Sequence, residues 1–246
     1  MKIYVITHKK MDFDLPVDYV PFQVNTVNSE IFYEFNDAVG SKQISVKNPY
    51  YCELTAAYWI WQNVIDENII GLMHYRRFLT KNMFSVSPKY YLNRHNIEKI
   101  LQRYDFIATK CFKFKQTVKE VMFDGVREHD FELLRQVILD QYPDYIDVFD
   151  KVFDGHKTYL CNIFITKKEQ WDAYYSWLFS IFDKLEPLVD MTDYTEREKR
   201  LYGFLSERLF TVYIVKNGLK VKSYPLSISG LSLWRRLKQK IKNVIK

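Results

Sequence analysis

The sequence predicts an α/β domain whose largely parallel central sheet is flanked by helices. Three observations carry that expectation. Short apolar runs such as Ile3-Tyr4-Val5-Ile6 alternate with longer segments whose apolar residues recur at helical spacing. The first run opens into Thr7-His8-Lys9-Lys10, and a strand ending in a polar, cationic loop is where α/β sheets bind ligands. The composition is 48% apolar and 27% charged, with seven Gly and seven Pro in 246 residues, which excludes collagen-like, low-complexity and disordered chains.

After the first strand, residues 12–50 are irregular and rich in Asn, Asp, Ser and Pro, and read as one long loop of the kind that carries function. Residues 53–63 set Leu54, Ala57, Tyr58 and Trp61 at i, i+3, i+4 and i+7, the pattern of a helix packed on a sheet. A short apolar strand at 68–73 runs straight into His74-Tyr75-Arg76-Arg77. A helix over 96–103, a strand over 104–108 and a helix over 131–140, stopping before Pro143, continue the alternation. A strand over 158–165 and helices over 169–185 and 195–216 follow, and residues 219–224 form the last strand. Aromatic residues reach 17%, which suits stacking against sugars or bases as well as filling a core.

The net charge of +6 is local: Arg235, Arg236, Lys238, Lys240, Lys242 and Lys246 stand in the last thirteen residues without an acid, and the rest of the chain is balanced. A nucleic-acid binder would spread its charge along a folded face, so no nucleic-acid partner is expected. Cys52, Cys111 and Cys161 lack the paired spacing of zinc ligands or a disulfide framework, and fit a reducing cytoplasm. The first apolar run is too short for a secretion signal, and no run reaches the roughly 18 residues of a membrane span.

The sharpest local signal is His74-Tyr75-Arg76-Arg77, because adjacent guanidinium groups at a strand's carboxyl end offer several donors to a diphosphate. The alternative is an arginine pair in salt bridges at a surface turn. Asp12-Phe13-Asp14 is the chain's Asp-x-Asp, but it lies in the first loop and reads as a solvated pair, not as carboxylates holding a divalent ion. Glu207, on a helix with an apolar face, reads either as a general base on an acceptor hydroxyl or as a surface pair with Arg208 or Arg200. Asp124, His129 and Asp130 form a second acid/base set, in which Asp130 also suits a helix cap before Phe131. Asn162 interrupts an apolar run, so its amide needs partners, either sugar hydroxyls or neighbouring backbone. GxGxxG, GxxxxGK[ST] and GxSxG are all absent from the sequence, which argues against a Rossmann dehydrogenase, a P-loop NTPase and an ordinary α/β-hydrolase.

In the tail, Trp234, Leu237, Ile241 and Val244 or Ile245 share one helical stripe ringed by the cations. That is the pattern of a helix lying on an anionic membrane, with a disordered or RNA-binding arm as the alternative. The chain therefore divides into a domain over 1–228 and a basic amphipathic tail over 229–246.

Glu53-Leu54-Thr55-Ala56-Ala57-Tyr58-Trp59-Ile60-Trp61-Gln62-Asn63, Gly71-Leu72-Met73-His74-Tyr75-Arg76-Arg77-Phe78, Cys161-Asn162-Ile163-Phe164-Ile165 with Trp177-Leu178-Phe179, and Gly203-Phe204-Leu205-Ser206-Glu207-Arg208-Leu209 occur in this order. Together these blocks resemble the bacterial capsule, exopolysaccharide and O-antigen galactofuranosyltransferase family, long catalogued as a domain of unknown function. Phe78-Leu79 stands where relatives read Tyr-Phe, a mild departure. The resemblance implies a GT-A-like nucleotide-sugar fold over 1–228. It implies transfer of galactofuranose from a UDP-sugar donor to a lipid-linked glycan acceptor, at the cytoplasmic face of the plasma membrane. On that reading Thr7, His8, Lys9, His74, Tyr75, Arg76, Arg77 and Asn162 bind the donor, Glu207 is the base with Asp130 as a further catalytic candidate, and no metal cofactor is expected. A UDP-hexopyranose donor and a non-catalytic membrane scaffold are the alternatives.

Overall fold

The computed structural model describes residues 1–229, so the predicted basic tail, apart from Ser229, lies outside the described residues. In chain order the first half holds β1 (Lys2–Thr7), β2 (Tyr19–Gln23), α1 (Asn48–Tyr51), α2 (Leu54–Asn63), β3 (Ile69–His74), β4 (Arg77–Leu79), α3 (Arg94–Leu101), β5 (Phe106–Thr109) and β6 (Phe112–Lys113). The second half holds α4 (Val118–Met122), α5 (Glu128–Gln141), α6 (Ile146–Phe153), β7 (Lys157–Thr158), β8 (Phe164–Lys167), α7 (Lys168–Leu185), α8 (Leu201–Lys216), β9 (Val221–Tyr224) and β10 (Leu226–Ile228).

Eight of these strands form one mixed sheet, and β6 and β7 form a separate antiparallel pair. β1 pairs in parallel with β2 and β3, and β5 with β9. β8 runs antiparallel between β3 and β5, and β4 antiparallel between β3 and β10. Six of the eight strands thus share one direction, as the sequence predicts, and antiparallel ladders occur only around β4 and β8.

Alternation along β1 shows how the sheet is covered. Tyr4 and Ile6 enter one core with Leu54 and Ile60 of α2, Leu134 of α5, Trp171 and Leu178 of α7 and Leu209 of α8. Ile3 and Val5 point the other way, into a smaller core with Ile97 and Leu101 of α3. Most of the aromatic enrichment fills the larger core, where the Phe164 and Phe210 rings stack at 4.9 Å and Trp171, Tyr174 and Tyr175 are buried around them.

The strand expected over 158–165 is broken: Cys161 and Asn162 have φ of 81° and 48°, which a strand does not admit, so β7 ends at Thr158 and β8 begins at Phe164. The long loop expected over 12–50 contains β2, hidden by Pro21. Proline is tolerated there because the outer side of β2 carries only an isolated bridge at Gln23. The helix expected from 195 starts at Leu201, after a 3₁₀ turn over Glu198–Arg200.

Gly71 sits mid-strand in β3 where no side chain fits. A Cβ there would lie 2.6 Å from Cδ1 of Ile3 and 2.8 Å from Cγ1 of Ile165. Gly71→Ala is expected to cost about 1–3 kcal/mol as overpacking between three strands. Urea denaturation measures it, and an unchanged midpoint would show that β1 and β8 yield freely.

Candidate active site

A cavity of about 350 Å³ opens at the carboxyl ends of β1 and β3. β1 brings Thr7 and the following His8, β3 brings His74 and the following Tyr75, and β4 brings Arg77 from its first position. The opposite wall is built from Cys52 and Glu53 between α1 and α2, from Arg200 just before α8, and from Glu207 in the second turn of α8. Segments distant in sequence thus converge because the forward strands all end at one edge of the sheet.

Six of the expected residues meet here: Thr7, His8, His74, Tyr75, Arg77 and Glu207. The arginine doublet divides. Arg77 lines the cavity, whereas Arg76 is exposed outside the lining with its guanidinium 4.8 Å from the Tyr75 ring centre. Lys9 is also outside the lining, with Nζ 5.5 Å from the same ring. Tyr75 is thereby braced by two cations and by the His8 ring, edge-on at 5.3 Å. The second guanidinium of the cavity comes from Arg200, whose Nε donates to Cys52 Sγ at 3.3 Å.

Asn162 is buried behind the cavity wall. Its amide donates to Glu53 Oε1 and to Ser206 Oγ, both at 2.8 Å. It therefore spends its donors on protein groups, including a cavity carboxylate, and not on backbone alone. Asp130 is not among the lining residues. Its carboxylate is buried in α5, where it accepts from the Tyr194 hydroxyl, and the helix starts before it at Glu128, so it does not occupy the expected cap position. Asp124 is exposed and paired with Arg197, and His129 is exposed. Asp12 and Asp14 are exposed outside the lining.

Glu207 accepts the Cys161 backbone N–H on Oε1 at 2.8 Å and pairs through Oε2 with Arg208 Nη1 at 2.7 Å. Burial pushes the Glu207 carboxyl above the ordinary carboxylate range; Arg208 opposes that shift and the nearby Glu53 adds to it. Burial likewise raises Glu53, against the pull of the Asn162 hydrogen bond, Arg200 and Arg77. His74 is pushed down to about 3 by burial and by Arg77, while one ring nitrogen bonds the Cys161 carbonyl and Nε2 is buried without a partner. It is a neutral imidazole at any physiological pH. Burial raises Cys52 to about 11 and Cys161 to about 12, so neither is a thiolate nucleophile.

All four non-glycine residues with positive φ among those described adjoin this cavity. Asn25 (63°) and Cys52 (53°) line it, while Cys161 and Asn162 form the turn that bonds Glu207 and Glu53. Such conformations cost about 1–3 kcal/mol each and gather where geometry is imposed for function. Asp37 holds one of the turns by accepting the Asn25 and Thr26 N–H groups and the Thr55 hydroxyl. Among the described residues, no group of three or more His, Cys, Asp or Glu side chains is placed to hold a metal ion. No described helix is long and apolar enough to cross a membrane.

A solved structure titled WbbM bifunctional glycosyltransferase, in its apo form, matches 94% of this chain with a TM-score of 0.82 at 29% sequence identity. The present chain spans 45% of that longer chain. No curated protein sequence matches. The fold is therefore of a glycosyltransferase type. The chain belongs to the family described as a domain of unknown function, DUF4422, whose model matches residues 2–218.

Proposed function

We propose that the chain transfers galactofuranose from UDP-galactofuranose to a hydroxyl of a lipid-linked glycan in capsule, exopolysaccharide or O-antigen synthesis, with inversion at the anomeric carbon. The observation that supports this most is that Arg77, Arg200, Glu53 and Glu207 line one cavity at the sheet's carboxyl edge, on a fold shared with a glycosyltransferase. Two guanidinium groups suit a diphosphate, whose charge grows as it departs. A cavity carboxylate suits the acceptor hydroxyl, whose proton must leave as the new bond forms. Tyr75, His8 and Thr7 extend the donor wall, and His74, held neutral, adds no charge that would compete for the diphosphate.

Because arginines can take the leaving-group charge, the reaction is proposed to need no divalent metal. The basic tail is proposed to hold the enzyme at the inner face of the plasma membrane, where a lipid-linked acceptor is within reach.

The test offers purified UDP-galactofuranose and UDP-galactose side by side with a lipid-linked acceptor extract, reading product mass and anomeric configuration. Transfer of the furanose alone, undiminished by excess EDTA, is the expected result. Preference for the pyranose overturns the donor, and loss of turnover in EDTA overturns the metal-free reading. Absence of transfer from either donor favours the scaffold alternative.

A further inference from the structure

We infer that Glu53, aimed by Asn162, is the carboxylate that takes the acceptor's proton, and that Glu207 remains locked to Arg208 as a fixed charge. This rests on the transfer reading above.

The two carboxylates share the cavity but differ in what holds them. Glu207 has a partner on each oxygen: the Cys161 N–H on Oε1 and Arg208 on Oε2. Arg208 is itself buried and also donates to the Phe204 carbonyl at 3.0 Å, so it is not free to withdraw. A proton arriving at Glu207 would leave this guanidinium unpaired away from water, which opposes proton transfer there.

Glu53 accepts from the Asn162 amide and from its own backbone N–H, both of them neutral donors. Protonating Glu53 strands no cation. The amide also fixes the direction of the carboxylate, because Asn162 is anchored a second time on Ser206. The left-handed conformations of Cys161 and Asn162 gain a function on this view: the turn brings the Asn162 side chain to Glu53 where a continuous strand would not.

The charged and titratable groups around Glu53 are Arg77 from β4, Arg200 just before α8 and Glu207 within it, Cys52 beside it, Cys161 from the turn before β8, and Tyr175 from α7. In the step itself, the acceptor's O–H proton passes to Glu53 as the acceptor oxygen bonds the anomeric carbon. The bond from that carbon to the diphosphate oxygen breaks, and its electron pair leaves with the nucleoside diphosphate beside Arg77 and Arg200.

The experiment compares Glu53→Gln, Glu207→Gln and Asn162→Ala in the full chain, with UDP-galactofuranose and the acceptor extract, alongside UDP affinity and Tm. Glu53→Gln is expected to lower kcat about 10²–10⁴-fold, the usual span of acid–base assistance, with UDP affinity changed less than threefold. Glu207→Gln is expected to lower kcat less than tenfold and Tm more than Glu53→Gln does. Asn162 is a positioning residue whose bond favours the charged carboxylate, so Asn162→Ala is expected to move the acid limb of kcat to higher pH. Wild-type kcat in Glu53→Gln, the large loss appearing in Glu207→Gln instead, or an unmoved limb in Asn162→Ala overturns the assignment while leaving transfer standing. A wild-type chain that binds UDP but transfers from no donor overturns the transfer reading, and this assignment with it.

Discussion

Arg77→Ala is expected to lower kcat/KM about 10²–10³-fold, or about 3–4 kcal/mol of transition-state stabilisation, while Tm stays at the wild-type value. Two features of the structure separate these effects. Arg77 is exposed toward the cavity and sits on the first residue of a three-residue strand, so the core does not depend on it. Its charge nonetheless reaches Glu53, Glu207 and His74, which places it at the electrostatic centre of the site. The control is its neighbour. Arg76, stacked on Tyr75 outside the lining, is expected to cost less than tenfold when replaced by alanine. Steady-state kinetics with varied donor, together with UDP affinity, distinguish the two. Equal losses at both positions would mean that the doublet acts as one unit and that the division seen in the structure is not the working arrangement.

That division also marks where the sequence stops being informative. The strand ends at Thr7 and His74 are legible because an apolar run breaking into polar residues fixes both the strand and the edge at which it opens. Which of two adjacent arginines faces inward is not legible, since it depends on how β4 turns back against β3 through the single pair His74 and Arg77. Arg200 is hidden for a different reason. In Arg197-Glu198-Lys199-Arg200 it looks like one more solvated charge before a helix, and only the packing of α8 beside α1 carries it to the cavity. Glu53 reads from sequence as an acidic residue at a helix start, which needs no further explanation. The one available clue was Asn162, a polar residue in an apolar run, and its partner proves to be Glu53 at 2.8 Å. The turn at Cys161 and Asn162 is hidden in the sequence because left-handed backbone at non-glycine residues leaves no composition signal, and the apolar run reads straight through it.

Arg208→Met is expected to be the most destabilising single change at the site, costing about 3 kcal/mol at neutral pH. The Arg208 side chain is 8% exposed, and its loss leaves Glu207, with 18% of its side chain exposed, holding a charge with the Cys161 N–H as its remaining hydrogen bond and Arg77 as a more distant cation. Methionine fills the volume, so the loss reports the stranded carboxylate and not a cavity. The pH dependence follows from the direction of the shift. Burial already raises Glu207 in the folded chain, and Arg208 is the main influence opposing that rise, so the variant's carboxyl lies higher still. A folded-state value above the unfolded one gives stability that is complete below the ordinary glutamate range and is lost as pH climbs through the raised value. The gap between wild type and variant should therefore be small in acid and widen toward neutrality. Adding Glu207→Gln to Arg208→Met removes the buried charge and should recover most of the loss, giving a favourable coupling in the double-mutant cycle. Urea unfolding across pH 4–8 reads both effects, and a penalty independent of pH, or additive in the double variant, would show that Arg208 serves packing and not Glu207.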